Sequence, residues 1–525
     1  MALGNRAVLR ISGFVGVAVF LMGSLSIPTC WAQLQSQVIP LEHDRSLPVN
    51  EIQVITPHGE VQHVVEVKPA PHFSAGGIDS VLQSTPAITS ATVSSGLGFD
   101  GVGTTMPGFI MVGEPSDSNL SVGDTQVVQW VNTMYAIWDK SGVKQFGPTN
   151  GNTPWQGSTI ASGRCASDNS GDPIVLYDKQ NNVWIFTQFA VSKAPYYQCI
   201  AISTSSDARG PYDLYAASFG TNFNDYPKVG IFNGNYFFSF NLFSRGRIFS
   251  GADACVINGA AVRSGSPASM TCTNVGKSFG SLLPADVDGA SGASGTTSPP
   301  PAGTSEYFLN FGSNSLNVWR MTASGSVTGP KNIPVAAFSE ACGGGTCIPQ
   351  AGTSQKLDSL GDRLMYRLSY RNFGTYASLL VNHSVAAGVS TGVRWYELHD
   401  SGSGPSVYQQ GTFAPDSNYR WMGSVAQDKL GNIAAGYSVS SSLIDAGISI
   451  ASRAPGDTLG VLGSEQTVLT STNYQSGHSR WGDYTSMSVD PIDDCTMWYT
   501  DEYMPASGDF KWATHINSFK LGSCQ

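Results

Sequence analysis

The chain has 525 residues, a net charge of −10, only 13% charged residues and 59 glycines. That length allows several domains, and that charge excludes the basic surface a nucleic-acid binder needs. No run after residue 32 approaches the roughly 18 apolar residues of a membrane-spanning helix.

The elements follow in chain order. Arg6 and Arg10 precede the apolar run 13–27, and small Ala32 follows "CW", so residues 1–32 read as a secretory signal peptide. Its loss makes the chain more acidic. Residues 33–105 are rich in Pro, Ser and Gly, and are expected to be a leader or linker, partly disordered, with one strand in "EIQVITP" (51–57). From 106 to 525 short runs of Val, Ile, Tyr, Phe and Trp alternate with Gly, Asn, Asp and Ser turns, which predicts an all-β domain.

Three stretches share one hairpin form: "YAIWDKSGVKQF" (135–146), "IVLYDKQNNVWIF" (174–186) and "SVAQDKLGNIAAGY" (424–437). In each, an Asp (139, 178 or 428) opens the turn, where its carboxylate can accept amide protons. Looser copies lie at 227–240, 305–321, 363–383 and 485–500. The hairpins begin near 124, 172, 225, 305, 362, 423 and 483. Spacings of roughly 50–60 residues suit the four-stranded blade of a β-propeller. Seven starts predict about seven blades, or six if one start is spurious; two stacked β-sandwiches are the competing architecture. The longest interval holds the Gly/Ser/Pro-rich segment 284–303, expected to be an inserted surface loop. The C-terminal "THINSFKLGSC" is expected to close the ring.

Of nine cysteines, Cys30 leaves with the signal peptide. The other eight pair by proximity in an oxidising compartment: Cys165 with Cys199, Cys255 with Cys272, Cys342 with Cys347, and Cys495 with Cys524. No CxxC is present to suggest zinc, and no cofactor motif is evident. Asp490, Asp493 and Asp494 are candidate calcium ligands against the plainer reading of a solvated acidic turn, and "DVDG" (286–289) is too short for an EF-hand loop.

The first strands of propeller blades converge, so their opening residues gather at one mouth. These are Gly171-Asp172, Asp225-Tyr226, Asp362-Arg363, Arg420-Trp421, and Arg480-Trp481 with Asp483-Tyr484. Asp172, Asp225 and Asp483 are the candidate catalytic carboxylates, with Glu397 and Glu502 behind them. Tyr226, Arg420, Trp421, Arg480, Trp481 and Tyr484 are candidate ligand-binding residues, since aromatic faces and guanidiniums suit sugars. The plainer reading of the Arg-Trp pairs is ion pairing and packing between blades. No GxSxG elbow, HExxH or nucleotide-binding Gly loop occurs.

"YDKQNNVW" and "SVDPIDDCTMW" resemble the Asp-box hairpins of the sialidase-like propeller superfamily, although the second lacks the Gly and carries extra residues. "GDPIVLYD", "DYPK", "LLPADVDG", "RWMGSVAQDKLGNIAAGYS" and "RWGDYTSMSVDP" are similar to a widespread family of exported bacterial β-propeller proteins, over about 120–524. That resemblance implies fold and export and no particular reaction. The sialidase likeness would use an arginine cluster, for which Arg371, Arg394, Arg420 and Arg480 are available; the sialidase Phe-Arg-Ile-Pro segment is absent, and no catalytic residue is carried over. The sequence thus supports a secreted or cell-surface propeller that binds an extracellular glycan or protein ligand as a non-catalytic scaffold. The alternative is a sialidase-like glycoside hydrolase or polysaccharide lyase.

Overall fold

β-branched and aromatic runs cannot bury themselves in water as single strands, and here they are gathered into antiparallel meanders by tight Asp, Gly and Asn turns. The computed structural model describes residues 34, 36–53, 63–64, 68, 71, 76–291, 299–522 and 524. The signal-peptide segment and most of "EIQVITP" lie outside the described residues. No helix among the described residues is long and apolar enough to cross a membrane.

The strands form curled, propeller-type sheets. Among the described residues, seven four-stranded meanders follow one another, with inner strands Asn119–Val122, Ile174–Asp178, Asn222–Phe232, Leu283–Val287, Met365–Asn372, Tyr419–Gln427 and Ser486–Val489. We call them the first to seventh sheets. Hydrogen bonds link each sheet to the next. Val175 N donates to Asn119 Oδ1 (2.7 Å), Asn224 Nδ2 to Gln198 Oε1 (3.0 Å) and Ile231 N to Asp286 Oδ1 (3.2 Å). Ala285 pairs with Leu368 in a parallel ladder. Thr391 Oγ1 donates to Arg420 O (3.0 Å), Met487 N to Ser424 Oγ (3.1 Å), and Ser486 Oγ to Leu120 O (2.9 Å), which returns to the first sheet.

The Asp turns behave as the sequence suggests. Asp139 accepts from the amides of Ser141 (2.9 Å) and Val143 (3.1 Å), and Asp428 from those of Leu430 (2.9 Å) and Asn432 (3.0 Å). Asp178 does the same for Gln180 and Asn181.

Two expectations, for the segment 284–303 and for the leader, are corrected. The segment 284–303 is not all loop: Leu283–Val287 is the inner strand of the fourth sheet, because "LLPADV" is an apolar run that buries. The hairpin near 305 is therefore that sheet's second and third strands. The C-terminal strand Ala513–Leu521 is the third strand of the seventh sheet, and the outermost is Val93–Asp100, with Ile516 opposite Phe99. The leader is also woven into the fold. Ser36–Arg45 lies between the outer edges of the second and third sheets, pairing Leu41 with Ala217 and Gln37 with Cys272. Leu82–Gln83 extends the edge of the fifth sheet.

All four cysteine pairs form as expected from proximity. They fit an oxidising, extracellular setting. Cys495–Cys524 spans 29 residues and ties the turn of the seventh sheet to the chain end. Replacing both by Ala should lower unfolding free energy by about 3–4 kcal/mol in the loop-entropy account. Urea denaturation checks this, and an unchanged midpoint would refute the strand-pinning role.

Candidate functional site

The site begins with a repeated backbone device. The chain adopts a left-handed conformation two residues before an inner strand begins, at Asp117 (φ 49), Asp172 (φ 46) and Ser281 (φ 51), and two residues before pairing resumes after a register break inside one, at Tyr226 (φ 52) and Met422 (φ 53). Asp483 (φ 58) stands one residue earlier in the seventh sheet. In the fifth sheet the peptide bond Tyr366–Arg367 is cis at this place. Non-glycine residues here cost on the order of 1–3 kcal/mol each, and such costs cluster at functional sites. Asp tolerates the conformation best, because its short side chain bonds locally. The device brings strand entries from separate sheets together: Asp117 N donates to Gly482 O (2.9 Å) and Tyr484 Oη to Pro173 O (3.2 Å).

Tyrosines fill the axis beneath these entries. Tyr484 packs 6.3 Å from both Tyr226 and Tyr366, drawn from the seventh, third and fifth sheets. Lys228 is fully buried among them. Its Nζ lies 3.6 Å from the Tyr226 ring centre and 4.0 Å from that of Tyr484, and donates to Pro227 O (3.0 Å). Arg363 stacks on the Tyr226 ring at 4.7 Å and makes a two-pronged pair with Asp362 (2.7 and 2.9 Å). Arg480 Nη2 pairs with Asp483 Oδ2 (2.5 Å), and its Nη1 lies 4.0 Å from Asp358.

The carboxylates of Asp172, Asp117 and Asp483 attract Lys228, and Asp225 stands beside Asp172 and Asp483. Burial, with Asp483 and Asp172 adding to it, pushes the Asp117 carboxyl far above its usual range. Burial raises Asp172 to about 6 against the pull of Lys228. Asp225 is raised to about 7 by burial and by Asp172. Burial lowers Lys228 to about 8 although Asp172, Asp117 and Asp483 oppose it. Glu502, whose Oε2 accepts from the amides of Ser116 (3.1 Å) and Gly482 (3.2 Å), is raised to about 7 by burial. Glu114, also buried, is pushed up to about 9 by burial, then by Glu502 and Asp509, with only the nearby Phe510 amide opposing.

These values fix the sign of a pH effect. Folded Asp172 and Asp225 hold protons at pH values where the unfolded chain, at about 3.9, has released them. Their stabilising contribution is complete below pH ~4 and lost as pH rises through about 6 and about 7. Urea stability should therefore fall from pH 5 to pH 7.5, and the fall should flatten in Asp172→Asn and Asp225→Asn. A wild-type slope retained in both variants would contradict this.

Asp172, Asp225, Asp483, Tyr226, Tyr484 and Arg480 are brought to one place. Arg420, Trp421 and Trp481 sit otherwise. Arg420 is held between Asp416 (2.8 Å) and Glu465 (2.7 Å). Trp421 and Trp481 have no exposed surface, pack 6.0 Å apart, and Trp481 Nε1 donates to Ser438 Oγ (3.1 Å). Their packing answers why Arg-Trp recurs at the entry of successive sheets. Glu397 is tied up with Ser378, Gln409 and His399 inside the fifth sheet. The four arginines of a sialidase-like cluster bind separate carboxylates: Arg371 with Asp494, Arg394 with Asp79, Arg420 with Asp416, and Arg480 with Asp483.

The calcium candidates also have other partners. Asp490 pairs with Lys140 (2.7 Å), Asp493 with Lys520 (3.0 Å) and Asp494 with Arg371 (2.8 Å). Asp286 and Asp288 of "DVDG" bind Arg367.

Sequence reasoning missed Asp117, Lys228 and Glu114. Asp117 was hidden because the first hairpin was placed near 124, whereas the inner strand starts at Asn119. The spacing of Asp172 before Ile174 would have found it. Lys228 stood inside "DYPK", where an isolated Lys between apolar residues is the available signal. A separate cavity of about 470 Å³, sharing no residue with the mouth, is lined by Tyr307, Arg320, Tyr370, Tyr376 and Asp400.

No family model matches the sequence, and comparison with curated proteins finds no match. Among solved structures, the chain is similar to a GH43 endo-arabinanase from Bacillus licheniformis, with 11% identity, 56% of this chain and 96% of that chain covered, and a TM-score of 0.27. It is also similar to an exo-β-1,3-galactanase from Phanerochaete chrysosporium, with 10% identity, 83% and 96% covered, and a TM-score of 0.29.

Proposed function

We propose that the seven meanders are the blades of one seven-bladed propeller, exported after removal of residues 1–32, and that its mouth cleaves an extracellular glycan by carboxylate acid–base chemistry. One observation carries this reading: Asp117, Asp172 and Asp483 gather about Lys228 with Asp225 beside them, and burial raises the carboxyls of Asp117, Asp172 and Asp225 by different amounts. Glycosidic cleavage needs one carboxyl that gives a proton and one carboxylate that takes one or attacks. Asp225 and Asp172 fit the donor. Asp483, ion-paired to Arg480, fits the carboxylate. Lys228 supplies fixed positive charge beneath them, and Tyr226 and Tyr484 form the floor.

A second reading, a binding scaffold without chemistry, is favoured by the pairs Arg363–Asp362 and Arg480–Asp483, which neutralise part of the mouth. Reducing-sugar release from a polysaccharide panel by the mature protein separates the two. Cleavage that disappears in Asp172→Asn and Asp483→Asn supports the enzyme. Retained binding with no release from any polysaccharide replaces it with the scaffold.

A further inference from the structure

Beside the carboxylate mouth, three side chains from three segments meet at one point. Glu114 precedes Pro115 at the entry to the first sheet, His478 lies two residues before Arg480, and Asp509 comes from the loop after the second strand of the seventh sheet. One ligand atom from each lies within 4.8 Å of the others. His478 Nε2 is 2.7 Å from Asp509 Oδ1 and also touches Glu114 Oε2.

These contacts do not close as hydrogen bonds. Nε2 can carry one proton, and neither carboxylate oxygen is aligned to accept it; Nε2 has no hydrogen-bond partner. Glu114 is 0% exposed, and neither of its carboxyl oxygens has a partner at ordinary geometry. A buried carboxyl left so lacks the polar partners that ordinarily offset its burial.

The surrounding backbone holds this arrangement. Ser476 N donates to Gly508 O (3.0 Å) and Gly508 N to Tyr474 O (3.0 Å), strapping the His478 and Asp509 loops together. Gly477 has φ +87, and a Cβ there would stand 2.8 Å from the Asp509 carboxyl carbon, so only glycine leaves that carboxylate its place.

We propose that Glu114, His478 and Asp509 bind one divalent transition-metal ion at the edge of the mouth. One imidazole and two carboxylates are a donor set suited to Zn²⁺ or Mn²⁺, with a position left for water. The inference stands independently of the glycan-cleavage reading, because it is tested by binding alone.

The experiment uses the full mature protein, stripped with chelator, dialysed, and titrated with Zn²⁺, Mn²⁺ and Ca²⁺ by calorimetry, with thermal melting in parallel. The expected result is one equivalent of Zn²⁺ or Mn²⁺ per chain, bound more tightly than Ca²⁺, with a rise in Tm. Affinity should fall at least tenfold in His478→Ala and in Asp509→Asn. Asp509 is half exposed (50%), so Asp509→Asn keeps the fold even where His478→Ala does not. Two results would overturn the proposal: no stoichiometric binding by the wild type, or binding unchanged in Asp509→Asn. The three residues would then share protons and nothing else.

Discussion

Asp172→Asn is expected to lower glycan cleavage by about 10²–10⁴-fold, the usual worth of a positioned acid–base group. The substitution isolates the proton. Asp172 sits at φ 46, and Asn occupies the left-handed region at least as readily as Asp, so the entry to the second sheet keeps its course. Size is conserved, and Lys228 remains beneath it. What disappears is a carboxyl raised to about 6, able to change protonation in the working pH range. The loss should fall on kcat, with KM little changed, because Asn retains the polar contact surface. Initial rates on whichever polysaccharide the wild type cleaves provide the measurement. A variant as fast as the wild type would remove Asp172 from the chemistry. Asp225→Asn, at a carboxyl raised to about 7, should shift the alkaline limb of the pH profile, where a proton donor is lost.

The second large effect concerns stability. Arg367 is buried where the fourth, fifth and seventh sheets meet. Its Nε donates to Asp286 Oδ2 (2.8 Å), its Nη1 to Met487 O (3.1 Å), and its Nη2 contacts Asp288. Burial works against ionisation of Asp288, but Arg367 and then Lys179 hold its carboxyl down at about 2. Arg367→Ala leaves Asp286 without this partner and Asp288 with Lys179, 3.2 Å away, and the Ser369 hydroxyl, which donates to it at 2.8 Å. Breaking one side of a buried ion pair costs about 3–5 kcal/mol. Urea unfolding of Arg367→Ala at pH 7 should show a loss of that size. The deficit should shrink toward pH 4, as the Asp288 carboxyl, no longer held down by Arg367, takes up a proton. A loss below about 1 kcal/mol would mean that the network does not join these sheets energetically.

The sheets were legible because their signal is local. "YAIWDKSGVKQF" and its relatives carry alternation, turn chemistry and an Asp whose function is met within four residues. The four disulfides were legible because each joins near neighbours in sequence. The fourth sheet was not, since "LLPADV" is short and the Gly/Ser run after it dominates composition. Nor could sequence reveal that Val93–Asp100 completes the last sheet, because a pairing across some four hundred residues leaves no local trace. At the site, Asp172, Asp225 and Asp483 were found by their position before inner strands. Trp421 and Trp481 share that position but point into packing, and sequence carries no mark of which way a strand entry turns. Glu114, His478 and Asp509 are far apart in sequence and meet only through the folded loops.

The outermost strand of the seventh sheet, Val93–Asp100, is made some four hundred residues before its partner Ala513–Leu521. A chain synthesised from its N-terminus must therefore carry an unmatched strand until some four hundred further residues have been made. Its folding is committed to the slow regime of distant pairings. Truncation at residue 101 would bare the edge of Ala513–Leu521 to other copies, and soluble oligomers or fibres, not a smaller working protein, are the outcome to expect.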